Sequence, residues 1–104
     1  MDIKEPSNNG FTIYSKSGCI NCIKFKNLLK DKNILYNEIN CDEYIIENKE
    51  NFLLFIFNKS KKEYKMFPII FLNGEFIGGY NEAKKNIEIN ENKDNAFNDN
   101  SVFN

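Results

Sequence analysis

Phe11-Thr-Ile-Tyr-Ser-Lys-Ser-Gly-Cys19-Ile-Asn-Cys22-Ile-Lys-Phe-Lys-Asn-Leu-Leu29 is the stretch that decides the fold. Phe11 to Ser15 is rich in aromatic and β-branched residues and reads as a strand. Ser17-Gly18 breaks it. From Ile20 the apolar residues Cys22, Phe25 and Leu29 recur at spacings of three and four, while Lys24, Lys26 and Lys30 take solvent positions. That pattern is an amphipathic helix ending near Asp31 to Asn33. Cys19 and Cys22 therefore sit where a strand hands over to a helix. A cysteine there faces unpaired backbone N–H groups and the positive end of the helix dipole.

Working outward, Leu35, Ile39 and Cys41 alternate with Tyr36, Glu38 and Asn40, which predicts a second, half-buried strand parallel to the first through the intervening helix. The run Phe52 to Phe57 within the stretch Glu43 to Lys62 fits a buried strand or a buried helix by periodicity alone. Helix is the expectation, because Tyr44, Ile45, Phe52, Phe55 and Ile56 fall on one face. The lysine-rich residues 59–65 read as its exit loop. Phe67-Pro-Ile-Ile-Phe-Leu72 and Glu75-Phe-Ile-Gly78 then flank Asn73-Gly74, the pair a type I′ turn prefers, which predicts a hairpin. Gly78-Gly79 stops the hairpin, and Asn81 is expected to cap a short helix from Glu82 to about Glu88. The predicted boundaries are a flexible polar segment over 1–9, one domain over 10–89 and a disordered polar tail over 90–104. The tail has too few apolar residues to offset the entropy of ordering.

Composition narrows the function classes. A chain of 104 residues fits one small domain that can bury a core without disulfides. Fourteen basic and 15 acidic residues leave a net charge of −1, so there is no basic field to draw nucleic acid. Phe52 to Phe57, the longest apolar run, is too short to span a bilayer, and no membrane association is expected. Met1 to Gly10 has no apolar core, so no secretory leader is expected and a reducing, cytoplasmic setting follows. In that setting C-x-x-C reads as a redox motif rather than a structural disulfide. A zinc site would need a second ligand pair; histidine is absent and Cys41 is the only other cysteine, so no metal is expected. Cys41, on the alternating face of Leu35 and Ile39, reads as a buried, inert thiol, with a regulatory thiol as the alternative.

Thiol–disulfide exchange runs through the thiolate. Cys19, at the helix start, is the expected nucleophile, and Cys22, further along and better shielded, the resolving thiol. Free cysteine titrates near ~8.5, and helix N-termini or neighbouring cations lower this to roughly 3.5–7.5. Lys16 adds such a charge.

With the order β-α-β-α-β-β-α assembled, the chain resembles a glutaredoxin of the thioredoxin superfamily. Residues 13–29 are similar to the family's Y-S-K-x-x-C-x-x-C-x-K-x-K-x-L-L pattern, Phe67-Pro-Ile-Ile-Phe-Leu-Asn-Gly74 to T-V-P-x-I-F-I-x-G, and Ile77-Gly-Gly-Tyr-Asn-Glu82 to I-G-G-x-x-D. The family's usual C-P-Y-C is Cys19-Ile-Asn-Cys22 here, Met66 and Phe67 replace threonine and valine, and Glu82 replaces aspartate. The resemblance implies an α/β fold of thioredoxin type in three layers, a four-stranded mixed sheet with helices on both faces. It further implies a cis-proline at Pro68 beside the dithiol, where a trans proline opening an edge strand is the ordinary alternative. Glutathione is the implied co-substrate, held by Lys16, by the backbone of Phe67 next to Pro68, and by Gly79, Tyr80, Asn81 and Glu82. The implied partners are disulfide-containing or glutathionylated proteins, with ribonucleotide reductase a client by resemblance, and a monomer suffices. Three readings stand beside this one: a thioredoxin-like reductant recharged by a flavoprotein reductase, a dimer sharing an iron–sulfur cluster through Cys19 and glutathione, and a redox-inactive interaction module.

Overall fold

The computed structural model describes residues 2–102, with side chains through Glu91. Its elements are β1 (Phe11–Ser15), α1 (Ile20–Asp31), β2 (Tyr36–Asn40), α2 (Asp42–Ser60), β3 (Ile69–Leu72), β4 (Glu75–Gly78) and α3 (Tyr80–Val102). One four-stranded sheet has the order β2-β1-β3-β4; β1 runs parallel to β2 and antiparallel to β3, and β3 pairs antiparallel with β4. This is the three-layer, mixed-sheet architecture that the family resemblance implies.

β1 is central and buried along its whole length, so both faces of it carry core. On one face Phe11 and Ile13 pack with Phe25 and Leu29 of α1, Ile70 of β3, and Ala83 and Ile87 of α3. On the other, Tyr14 packs with Cys41, Ile69, Phe71 and the α2 residues Phe52 and Ile56. Each large side chain so buried contributes about 1.5–3 kcal/mol relative to exposure. The buried hydroxyls of β1 are satisfied: Ser7 N–H donates to Thr12 Oγ1 at 2.9 Å, and Ser15 Oγ donates to Glu38 Oε2 at 2.7 Å. Hydrogen bonds from Lys26 and Ser15 hold Glu38 below the usual carboxylate range, against the upward pull of partial burial.

The helical reading of residues 43–62 holds, and Phe52 and Ile56 are its buried contacts. The helix is kinked at Asn48 (φ −160°, ψ 87°), whose Oδ1 accepts from Asn51 N at 3.0 Å and caps the second half. The predicted hairpin is also present, with Asn73 and Gly74 both at positive φ (52° and 84°) as a type I′ turn requires.

Four expectations are corrected. Leu35 is 92% exposed, because β2 starts at Tyr36 and Ile34 takes the inward position before it. Asn81 does not cap α3: the helix starts at Tyr80, with Ala83 N donating to Gly79 O at 3.0 Å. The N-terminal segment is tied down rather than loose, because Ile3 packs on the α2 side, Tyr14 Oη donates to Lys4 O at 2.5 Å, Gly10 N donates to Asn73 Oδ1 at 2.7 Å, and Glu5 pairs with Lys59. Finally, α3 does not stop near Glu88 but continues through the expected tail to Val102. No glycine or proline follows Gly79, so nothing interrupts the ladder, and each added residue needs only one further hydrogen bond to propagate. Residues 103 and 104 of that expected tail, and Met1, lie outside the described residues.

Candidate active site

The strand registers bring the sequence-distant candidates to one edge. Ser15 pairs with Asn40, Tyr14 with Ile69, and Ile70 with Gly78, so the ends of β1, β2 and β4 and the start of β3 share one end of the sheet. The helices that follow β1, β2 and β4 all begin there. Three helix N-termini, each with a partial positive charge, thus converge around Cys19, Asp42 and Gly79.

Gly18, at φ 75°, makes the turn between β1 and α1 that non-glycine residues rarely adopt. Cys19 follows as the N-cap of α1 (φ −91°, ψ 108°), and its Sγ accepts from Cys22 N at 3.1 Å. Sulfur therefore occupies the place that a serine or aspartate oxygen takes in an ordinary cap. Cys19 is half-buried, whereas Cys22 is 2% exposed and faces the core. The two sulfurs are joined as a disulfide with a Cα–Cα distance of 5.2 Å. Ile20 and Asn21, between them, are exposed.

One residue that the sequence did not point to fixes this loop. Asp42, first residue of α2, accepts from Ser17 N at 2.9 Å through Oδ1 and from Ser17 Oγ through Oδ2. Those hydrogen bonds hold its carboxyl below the usual aspartate range, with the charge of Lys16 helping. The only signal in the sequence was an aspartate just after a strand and ahead of an apolar run, a helix-start pattern. Nothing local linked it to Ser17.

Phe67–Pro68 is cis, as the resemblance implies, and Pro68 is buried. Phe67 stacks on Phe52 (centroids 6.0 Å apart), which stacks on Tyr44 (6.1 Å), so the loop before β3 rests on α2. Lys16 Nζ lies 5.4 Å from the centre of the Phe67 ring. The structure thus joins two predicted residues from separate motifs.

At the β4–α3 junction, Glu82 turns back on its own helix. Its Oε1 accepts from Gly79 N at 2.8 Å, the reciprocal half of a capping box. A Cβ on Gly78 would stand 2.8 Å from Glu82 Cβ, and one on Gly79 would overlap the Tyr64 hydroxyl. The two glycines are needed because the Glu82 stem and Tyr64 lie directly over them. Tyr64, also missed in the sequence, is raised in pKa by partial burial and then by the charge and hydrogen bond of Glu82. The Tyr80 ring packs edge-on to Phe25 at 6.3 Å, against the α1 side of the core. Asn81 is exposed. Cys41 stands apart, fully buried under α2, where burial and then the neighbouring Asp42 push its thiol up to about 12. Among the described residues, no group of three or more His, Cys, Asp or Glu side chains is placed to hold a metal ion, and no helix is long and apolar enough to cross a membrane.

A four-stranded mixed sheet between helices, with a C-x-x-C pair capping the first helix and a cis-proline opening the third strand, defines a thioredoxin-fold protein with a redox-type dithiol. Comparison with known proteins narrows that class. Residues 11–77 match the glutaredoxin family model. Glutaredoxin 1 of Rickettsia felis is 37% identical over 67 residues, 64% of this chain and 61% of that protein, so the match spans under two thirds of that relative's length. Glutaredoxin-2 of Schizosaccharomyces pombe is 34% identical over 79% of this chain and 71% of its own. The crystal structure of glutaredoxin 1 from Francisella tularensis, complexed with cacodylate, superposes with a TM-score of 0.67 and 28% identity, covering 79% of this chain and 95% of that one. The chain belongs to the glutaredoxin family.

Proposed function

We propose that this chain is a glutathione-dependent thiol–disulfide oxidoreductase that reduces protein disulfides and protein–glutathione mixed disulfides. The observation that carries the reading is the thiol cap: Cys19 Sγ accepts the Cys22 N–H at the start of α1 while its partner sulfur stays buried. A hydrogen bond to sulfur at a helix N-terminus favours thiolate over thiol and makes Cys19 the attacking group. In the cycle, Cys19 thiolate attacks one sulfur of a substrate disulfide, forming a mixed disulfide and releasing the other sulfur as thiolate. Cys22 thiolate then attacks Cys19 Sγ, giving the observed Cys19–Cys22 bond and a reduced substrate. Two equivalents of glutathione return the pair to the dithiol and leave as glutathione disulfide. With a glutathionylated substrate, glutathione instead resolves the Cys19 adduct directly.

The edge around Cys19 supports glutathione as that reductant, because its two sides differ in charge. Lys16, over Phe67, supplies a cation on the α1 side for the glycyl carboxylate, and Glu82 supplies a carboxylate on the α3 side for the γ-glutamyl ammonium. The Phe67 backbone, next to the cis Pro68, is available to pair with an extended cysteinyl segment. Gly79, Tyr80 and Asn81 offer backbone N–H groups at the start of α3 for the γ-glutamyl carboxylate. A reducing compartment and a monomeric chain fit this cycle.

The test is reduction of a small mixed disulfide by glutathione, coupled to glutathione reductase and NADPH. Turnover by the native chain and by Cys22→Ser, with none by Cys19→Ser, is the expected result. A native chain that glutathione cannot drive, but that a flavoprotein thioredoxin reductase can, rejects the proposal.

A further inference from the structure

We propose that Tyr64 is a positioning residue for the ammonium-binding end of the site, acting through Glu82; this rests on the glutathione reading above. The geometry has three parts. The Tyr64 hydroxyl sits over Gly79 in the space a side-chain carbon would need, and Glu82 Oε1 lies 3.4 Å from the same point. Glu82 Oε1 is already bound to Gly79 N at 2.8 Å. The Tyr64 ring is held edge-on to Phe76 of β4 at 5.1 Å, so its hydroxyl is delivered from a fixed base. The raised pKa of the phenol, from burial and then from Glu82, agrees with an O–H donated to that carboxylate.

A carboxylate has about four acceptor positions on its two oxygens. Gly79 N–H takes one position on Oε1 and the Tyr64 hydroxyl stands on the same, protein-facing side, leaving the positions that face solvent for an incoming ammonium. Glu82 has one more methylene than an aspartate, and a free side chain of that length would spread over several rotamers. Folded back over Gly78 and Gly79 and met by Tyr64, it presents one arrangement. Tyr64 thus sets affinity for ligands carrying an ammonium at this end and leaves the exchange step at Cys19 alone.

Tyr64→Phe keeps the ring against Phe76 and removes only the hydroxyl, so it tests the role without disturbing the core. In the glutathione-coupled assay, KM for glutathionylated substrate is expected to rise roughly fivefold while kcat changes by less than about twofold, the pattern of lost binding rather than lost chemistry. The same change made in Glu82→Gln is expected to have an effect smaller than about twofold, because the hydroxyl no longer has a charge to hold. Thermal melting of each variant shows whether the fold is intact. A Tyr64→Phe variant with native KM, or an equal KM rise in both backgrounds, overturns the role of Tyr64 while the glutathione reading stands. Absence of glutathione-driven turnover in the native chain overturns both.

Discussion

The starts of α1 and α3 lie at the same edge of the sheet and follow strands in the same way, yet they are capped in opposite chemical senses. α1 is capped by a sulfur that can leave its hydrogen bond and react; α3 is capped by a carboxylate that stays. Both use an acceptor to satisfy backbone N–H groups exposed by a helix start. The reactive cap carries a nearby lysine, Lys16, and is braced from outside by Asp42 through Ser17. The permanent cap folds over two glycines that give it room, with the Tyr64 hydroxyl over the second of them. On the proposed function, one local solution to helix capping serves chemistry at one end of the edge and recognition at the other.

Predictions separate these two ends. The largest effect belongs to the reactive cap: Cys19→Ser is expected to lower glutathione-coupled turnover by at least about 100-fold, because an alcohol at that position is not ionised and cannot exchange with a disulfide. Cys22→Ser should retain most of the turnover of small glutathionylated substrates. The recognition end responds through packing. Gly79→Ala forces a Cβ into the Tyr64 hydroxyl and is expected to cost about 1–3 kcal/mol of stability, read by denaturant melts, with a raised KM for glutathionylated substrate. Native stability with native KM would mean that the glycine pair is only a hairpin exit.

The brace at Asp42 should matter less. Asp42→Asn loosens the Ser17 loop, and roughly tenfold slower exchange is expected from the misplaced nucleophile. Because the folded pKa of Asp42 is depressed, its contribution is complete above the unfolded value of ~3.9 and is lost as pH falls through the lower folded one. The gap in melting temperature between native chain and variant should therefore close in acid. The smallest effect lies away from both caps, at Cys41. Its raised folded pKa, about 12, means its contribution is complete below the unfolded ~8.5 and is lost as pH rises toward that folded value. Cys41→Ala should flatten the alkaline decline in melting temperature, leaving the part due to Tyr14, whose phenol burial also raises.

What the sequence disclosed follows the same division. β1, α1 and the hairpin were legible because their signals are local: a β-rich pentapeptide, apolar spacings of three and four, and Asn73-Gly74 at a turn. The dithiol was legible for the same reason. The braces were not, since Ser17–Asp42 and Tyr64–Glu82 join residues 25 and 18 positions apart through loops, and no periodicity records such a pairing. Asn81 carried the stronger cap propensity, but the capping box from Glu82 placed the helix start two residues earlier. The N-terminal segment and the far end of α3 escaped because they have few apolar residues: the first is held chiefly by hydrogen bonds to backbone and side chains further along the chain, and the second continues from a helix already nucleated on the core.

On the proposed function, the two caps act as one site. The direct test is backbone NMR of the Cys22→Ser chain before and after its Cys19 is converted to the mixed disulfide with glutathione. Amide shifts at Lys16, Cys19 and Phe67 together with a second group at Gly79 to Glu82 are predicted. Shifts confined to residues 17–23, with the start of α3 unmoved, would contradict it.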